Sequence, residues 1–158
     1  MAGKDGKPLG KKLTGKIEKL VGKKIAGIAI KLDKRTLAVW AADCAEHVLH
    51  YFEEKHPKDT RPRESIRALR VWVRTGVFKM ADVRKASLSA HAAAREAEDG
   101  SAARFAARAA GQAMATAHVI THAFGAAYYG AKAAGAAGAA DEHEWQYLRL
   151  LRIRKRQE

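Results

Sequence analysis

Apolar residues recur along this chain at spacings of three and four rather than two, so their pattern predicts helices and no sheet. From Lys12 to Lys24, Leu13, Ile17, Leu20 and Val21 share one stripe of a short amphipathic helix, with Lys16, Lys19, Lys23 and Lys24 elsewhere on its circumference. Ile25 to Leu32 reads as a short hydrophobic connector. Asp33 then stands at the cap of a helix running from Lys34 to Lys55. Within it Leu37, Trp40, Ala41, Cys44, Val48, Tyr51 and Phe52 keep helical spacing until His56-Pro57 stops it. A second helix begins at Pro62, with Thr60 or Arg61 at the cap, a stripe of Ile66, Leu69 and Val73 beside Trp72, and Gly76 as terminator. A third, alanine-rich helix runs from Met80 to Ala97 and closes at Gly100.

The stretch from Ser101 to Ala140 breaks with this style, because alanine and glycine replace the Leu and Ile of an ordinary core. Ser101 caps it, no proline interrupts it, and past Ala109 it carries one formal charge, Lys132. We read it as one long central helix, bending or breaking at Gly111, Gly125 or Gly130, whose small side chains let neighbours approach closely. Gly135 and Gly138 mark its end. A last helix, Asp141 to about Arg156, has acidic residues in its first turn and a basic run in its last; its pattern buries Trp145, Leu148 and either Leu151 or Ile153. The expected architecture is therefore all-α: a compact multi-helix bundle around the Ala/Gly-rich helix.

Charge sharpens the division of the chain. Of the net +13, residues 1–35 carry +8, from eleven Lys/Arg against Asp5, Glu18 and Asp33, and residues 149–158 carry +4. The middle is thus almost neutral. Residues 1–30 read as a basic unit, a mobile arm over residues 1–11 followed by the short amphipathic helix, and residues 31–158 as a single helical domain. Lys11, Lys12, Lys16, Lys23 and Lys24 at one end, and Arg152, Arg154 and Arg156 at the other, are positioned to meet phosphates or an acidic protein surface. Solvated, solubilising ends are the alternative, and for the short helix docking on the body is favoured over a membrane surface.

Several chemistries are bounded by the residues available. One cysteine, Cys44, excludes an internal disulfide framework, and with no signal peptide the pattern favours the cytoplasm. Residues 109–140 are long enough to cross a bilayer, but Gln112, His118, His122 and Lys132 are costly in hydrocarbon, so no span is expected. His118 and His122 are spaced i,i+4, as are Asp43 and His47, and His91 and Arg95. Helices could bring such pairs together as zinc or di-metal ligands, yet no HExxH or paired ExxH occurs, and polar pairs that fix helix register are favoured over a metal site. No cofactor is called for. Cys44 with His47 three residues on is the remaining nucleophile arrangement, set against a cysteine that acts as a small core hydrophobe.

The segments LAVWAADCAEHVLHYFE, RPRESIRALRVWVRTG, SAHAAAREA and AARAAGQAMATAHVITHAFGAAYYGAKAAG, in that order from Thr36 to Tyr147, resemble a bacterial family of small helical putative immunity proteins, the immunity-protein-five-like domain of polymorphic toxin systems. Positions matching its motifs are Trp40, Asp43, Cys44, His47, Arg63, His91, Arg95, Gly111, His118 and His122. The resemblance implies a non-enzymatic protein that neutralises a cognate toxin by binding it, and it carries over no catalytic residue. Its polar positions, Trp40, Asp43, His47, Arg63, His91, Arg95, His118 and His122, form the candidate binding cluster. A near-neutral body with basic ends disfavours a nuclease target, whose inhibitors are often acidic, and favours an acidic or neutral partner. The alternatives are sequence-independent nucleic-acid association through the basic ends, and a His/Asp metal-binding helical protein. Trp145 with Tyr147, or the small-residue face from Gly125 to Gly138, offers a homodimer contact.

Overall fold

The computed structural model describes residues 11–157, and for Lys11 the backbone alone, so the arm expected before α1 lies outside the described residues. The described residues are helical, with no strand among them. The elements are α1 (Lys11–Val21), α2 (Lys23–Ala29), α3 (Lys34–Val48), α4 (His50–Glu53), α5 (Arg61–Thr75), α6 (Met80–Glu96), α7 (Ala102–Ala115), α8 (His122–Ala136) and α9 (Glu142–Arg156). Local chemistry sets many of these ends. Asp33 accepts a bond from the Thr36 backbone N–H at 2.8 Å, and Ser101 caps α7 by accepting from Arg104 at 3.1 Å. Gly76 ends α5 at φ 70, a left-handed conformation that glycine adopts without steric cost.

The expected central helix is two helices. It breaks over residues 116–121, between α7 and α8, and not at Gly111, Gly125 or Gly130, all of which stay helical. The break has a local cause. Thr116, Val119, Ile120 and Thr121 are β-branched and poor helix formers, and Thr116 Oγ1 donates to the Gln112 carbonyl at 3.2 Å, while backbone bonds tighten to three-residue spacing from Thr116 to His118. The two halves then fold against one another, and α3, α5 and α6 pack around them. Alanines at 106, 107, 109, 110, 113, 123, 126, 127 and 133 are fully buried there, so backbones meet with little side chain between them. The long, bilayer-spanning length disappears with the break: no helix among the described residues is long and apolar enough to cross a membrane.

Three smaller expectations are also corrected. The basic amphipathic helix stops at Val21 because Gly22, at φ 85, turns the chain, and the hydrophobic connector beyond it is mostly helix α2, which buries Ile25, Ala26 and Ala29. Its seven residues are too few to show a period. The helix expected from Lys34 to Lys55 jogs at Leu49, whose N–H bonds Glu46 three residues back, dividing α3 from α4. In α9 the buried stripe is Gln146, Leu150 and Ile153; Trp145 is half-buried and Leu148 is 53% exposed. The phase differs because Gln146 is drawn inside by polar bonds, donating from Nε2 to the Ala127 carbonyl at 2.9 Å, while its own carbonyl accepts from Trp40 Nε1 at 2.9 Å.

The basic N-terminal helices rest on the body. α1 packs on α8 and α2 on α9, burying Ile17, Val21 and Ile25 in the common core with Trp40, Phe52 and Phe124. The small-residue face of α8 is likewise internal, with Ala126, Ala127, Ala133 and Ala134 buried.

Candidate functional site

The eight candidate binding residues separate into three environments. Trp40 belongs to the core, at 0% exposure, with its ring 6.3 Å from Phe124. Asp43, His47 and Arg63 come together on one surface formed by α3, α5 and α9. His91, Arg95, His118 and His122 lie across α6, α7, the 116–121 joint and α8.

The α3 surface opens into a recess of about 380 Å³ lined by Asp43, Glu46, His47, Trp145 and Arg149. Helical spacing builds it: positions 43, 46 and 47 share a face of α3, 63 and 70 a face of α5, and 142, 145 and 149 a face of α9. Asp43, its side chain only 10% exposed, accepts from Arg70 at 3.0 Å through Oδ1 and from Arg149 Nε at 2.9 Å through Oδ2. Arg70 also donates to Glu46 at 3.1 Å. Arg63 forms a two-bond fork with Glu53, at 2.7 and 2.6 Å, and this fork holds the Glu53 carboxyl below the usual carboxylate range. His47 stacks face to face on Trp145, ring centroids 3.6 Å apart, with Nδ1 2.7 Å from the Glu142 carboxylate. Charges of both signs are thus neutralised within the recess.

Sequence reasoning missed five members of this surface: Glu46, Arg70, Glu142, Trp145 as a ring partner, and Arg149. The signal for Arg70 was present, since it stands seven residues after Arg63 and therefore on the same face of α5. Arg149 stands four residues after Trp145 on the same principle. That these faces meet is a tertiary fact with no local trace.

The histidines occupy a different niche. His91 lies against the backbone of α7 at Gly111: a Cβ there would stand 2.6 Å from Nε2 and 2.8 Å from Cδ2 and Cε1. Gly125 makes the same kind of room for Gln112, whose Oε1 lies 2.8 Å from His122 Nδ1. Burial, reinforced by Arg108, Arg95 and His122, pushes the His91 pKa below its ordinary value; burial and His118 do the same for His122. His91 Nδ1 is buried with no hydrogen-bond partner among the described residues. His118 is exposed at the joint, stacked at 6.2 Å on Phe78, and Arg95 is exposed on α6.

Neither environment assembles a reactive centre of the kinds weighed from the sequence. Among the described residues no three His, Cys, Asp or Glu side chains converge as metal ligands, and Asp43 with His47 sits on a different surface from His118 with His122. Cys44 is fully buried, and burial, then the neighbouring carboxylates of Asp43 and Glu142, push its thiol pKa well up, so it is a protonated core residue rather than a nucleophile. At the basic ends Lys12, Lys16, Lys23, Lys24, Arg152 and Arg156 are exposed and Arg154 is half-buried. Lys24 lies 4.8 Å from the Tyr147 ring and 3.8 Å from Glu144.

These features define a small all-α protein whose polar side chains knit helices together around a rigid, charge-balanced recess. The model of one family, Imm-5 like putative immunity protein, matches residues 28–153, and the chain belongs to that family. Neither the curated proteins nor the solved structures contain a match to it.

Proposed function

We propose that this protein neutralises a cognate toxin by binding it, without catalysis of its own. The observation that carries this reading is that the polar groups of the recess are spent on one another: Asp43 on Arg70 and Arg149, Glu46 on Arg70, Arg63 on Glu53, His47 on Trp145 and Glu142. Charged groups fixed by mutual pairing are poor acids, bases and nucleophiles but good elements of a preorganised recognition surface, because little side-chain freedom remains to be lost on association. Family membership supports a toxin as the class of partner.

The test is capture of a toxin by the tagged protein from its native lysate, followed by co-expression of the two. Expected are restored growth of the host and a stoichiometric complex that persists at high salt. Loss of protection when both proteins are soluble overturns the reading. Recovery of nucleic acid in place of a protein partner, released as salt is raised, transfers the function to the basic ends.

A further inference from the structure

Cations of the recess are neutralised internally, but those around α6 are not. Arg35, Arg74, Lys79, Arg84, Lys85 and Arg95 form no ion pair among the described residues, whereas Arg61, Arg63, Arg67, Arg70, Arg104 and Arg149 each do. Two carboxylates stand on α6 with them, Asp82 and Glu96, and Glu96 is paired with Arg61. α5, α6 and the segment joining them hold five of the six large hydrophobic side chains exposed among the described residues: Val71 at 45%, Val77 at 63%, Phe78 at 42%, Met80 at 37% and Leu88 at 57%. Such clustering of exposed apolar groups marks an interaction surface, since scattered single ones are ordinary.

Helix geometry arranges them. α6 packs on α7 and α5 through Val83, Ser87, Ala90 and Ala94, which leaves Met80, Arg84 and Leu88, four residues apart, as a ridge facing away from the core. At the α5–α6 corner is a groove of about 380 Å³ with Val71, Trp72, Val77, Val83 and Met114 on its apolar walls, Lys79 and Asp82 at its edge, and the Lys34 ammonium 5.5 Å from the Trp72 ring. We infer that this groove docks a partner protein that inserts an apolar side chain into it and meets the cations around it with carboxylates. The proposal rests on the binding role above and adds to the recess a second contact surface with its own chemistry. Charge selects the occupant. A second copy of this chain would bring one basic rim against another, and a lipid surface has no side chain to fill a concave groove.

The probe is a fluorescein-labelled amphipathic peptide with Leu and Phe on one helical face and Glu on the other, titrated into the full chain. Its lysine counterpart and phosphatidylglycerol vesicles serve as comparison arms. Anisotropy reads affinity, and amide shifts read location. The acidic peptide is expected to bind, with shifts confined to residues 71–95. Lys79→Glu and Val77→Ser, both on exposed positions of the groove, should each weaken it roughly tenfold without lowering the melting temperature. Lys155→Glu in the basic tail should leave it unchanged. The inference is overturned by no binding up to about 1 mM peptide. Equal binding of the lysine peptide, shifts at residues 12–24 or 152–156, preference for vesicles, or self-association through this face overturn it too. The probe contains no toxin. Failure of the co-expression assay with peptide binding intact therefore defeats neutralisation and leaves the docking face standing.

Discussion

Replacing Gly111 with alanine sets two opposed effects against each other at one position. Gly111 lies inside α7, where alanine is favoured by about 1 kcal/mol on helix propensity alone. The added methyl, however, would stand 2.6 Å from His91 Nε2, a distance that real Cβ atoms do not tolerate. The obstacle is a planar ring in the α6–α7 seam, so it cannot bend out of the way as a Lys or Met would. Overpacking of this kind costs about 1–3 kcal/mol, and a clash this close belongs toward the upper end, leaving a net loss of about 1–2 kcal/mol. For a chain of this size that lowers the melting temperature by roughly 3–6 °C. The decisive measurement is a double-mutant cycle by urea unfolding with His91→Ala. With the ring gone, Gly111→Ala should become stabilising, so the two substitutions couple by about 2–3 kcal/mol. If Gly111→Ala raises stability in the parent protein, or has the same sign in both backgrounds, the account of the α6–α7 seam is wrong.

Other outcomes follow from the same bonds. Asp43→Ala strands Arg149 and leaves Arg70 to Glu46 alone, and should cost about 1–2 kcal/mol in urea unfolding, the partial exposure of both guanidinium groups keeping it from being larger. Trp40→Phe keeps most of the packing but removes the indole bond to the Gln146 carbonyl, which retains its helical partner in α9, for a loss of about 0.5–1.5 kcal/mol read by thermal unfolding. Gly76→Ala should cost about 1 kcal/mol, because φ there is 70 and Arg35 is already 3.3 Å from the new methyl. The His91 and His122 pKa values are depressed by folding, so the unfolded chain takes up protons first on acidification. Stability should hold above about pH 6.5 and decline below it by at most about 1.4 kcal/mol per pH unit for each group, a slope that His91→Gln with His122→Gln should flatten.

What was legible in the sequence was whatever a single helix decides for itself. Asp33, Ser101 and Gly76 announce helix ends through chemistry confined to a few residues, and α5 and α6 lie almost where their stripes put them. The division of residues 101–140 was misplaced because glycine was weighed as the weak point on propensity alone. Gly111, Gly125 and Gly130 are instead places where another side chain, His91, Gln112 or Gln146, comes against the helix, and tertiary packing outweighs their propensity. The four β-branched residues between Thr116 and Thr121 were the better signal. In α9, an apolar pattern predicts a buried Leu148, but a glutamine with two buried bonds sets the phase. Asp43 and His47 were singled out by their spacing, whereas Arg149, a full 106 residues away from Asp43, reaches them only through the fold.

A core of alanine and glycine poses a problem of register, since small side chains interlock weakly and one turn of slip costs little shape complementarity. The structure answers it with hydrogen bonds from neighbouring helices to the backbone of the central pair. Ser65 of α5 donates to the Ala110 carbonyl at 3.0 Å, and Ser87 of α6 donates to the next carbonyl, Gly111, at 2.9 Å. Gln146 of α9 donates to Ala127 of α8, and Gln112 ties α7 to His122 at the start of α8. A slip along α7 or α8 would leave buried donors unpaired, at about 1–3 kcal/mol each, which shape alone does not supply here. Buried Ser65, Ser87 and Gln146 thus each bond to the backbone of α7 or α8. It also separates two duties within the chain. Residues that bond to α7 and α8 fix the scaffold, while α6, anchored by Ser87 on one side, is left with an uncovered apolar and basic ridge on the other. The first set should therefore be read out in stability, and the groove at the α5–α6 corner in binding.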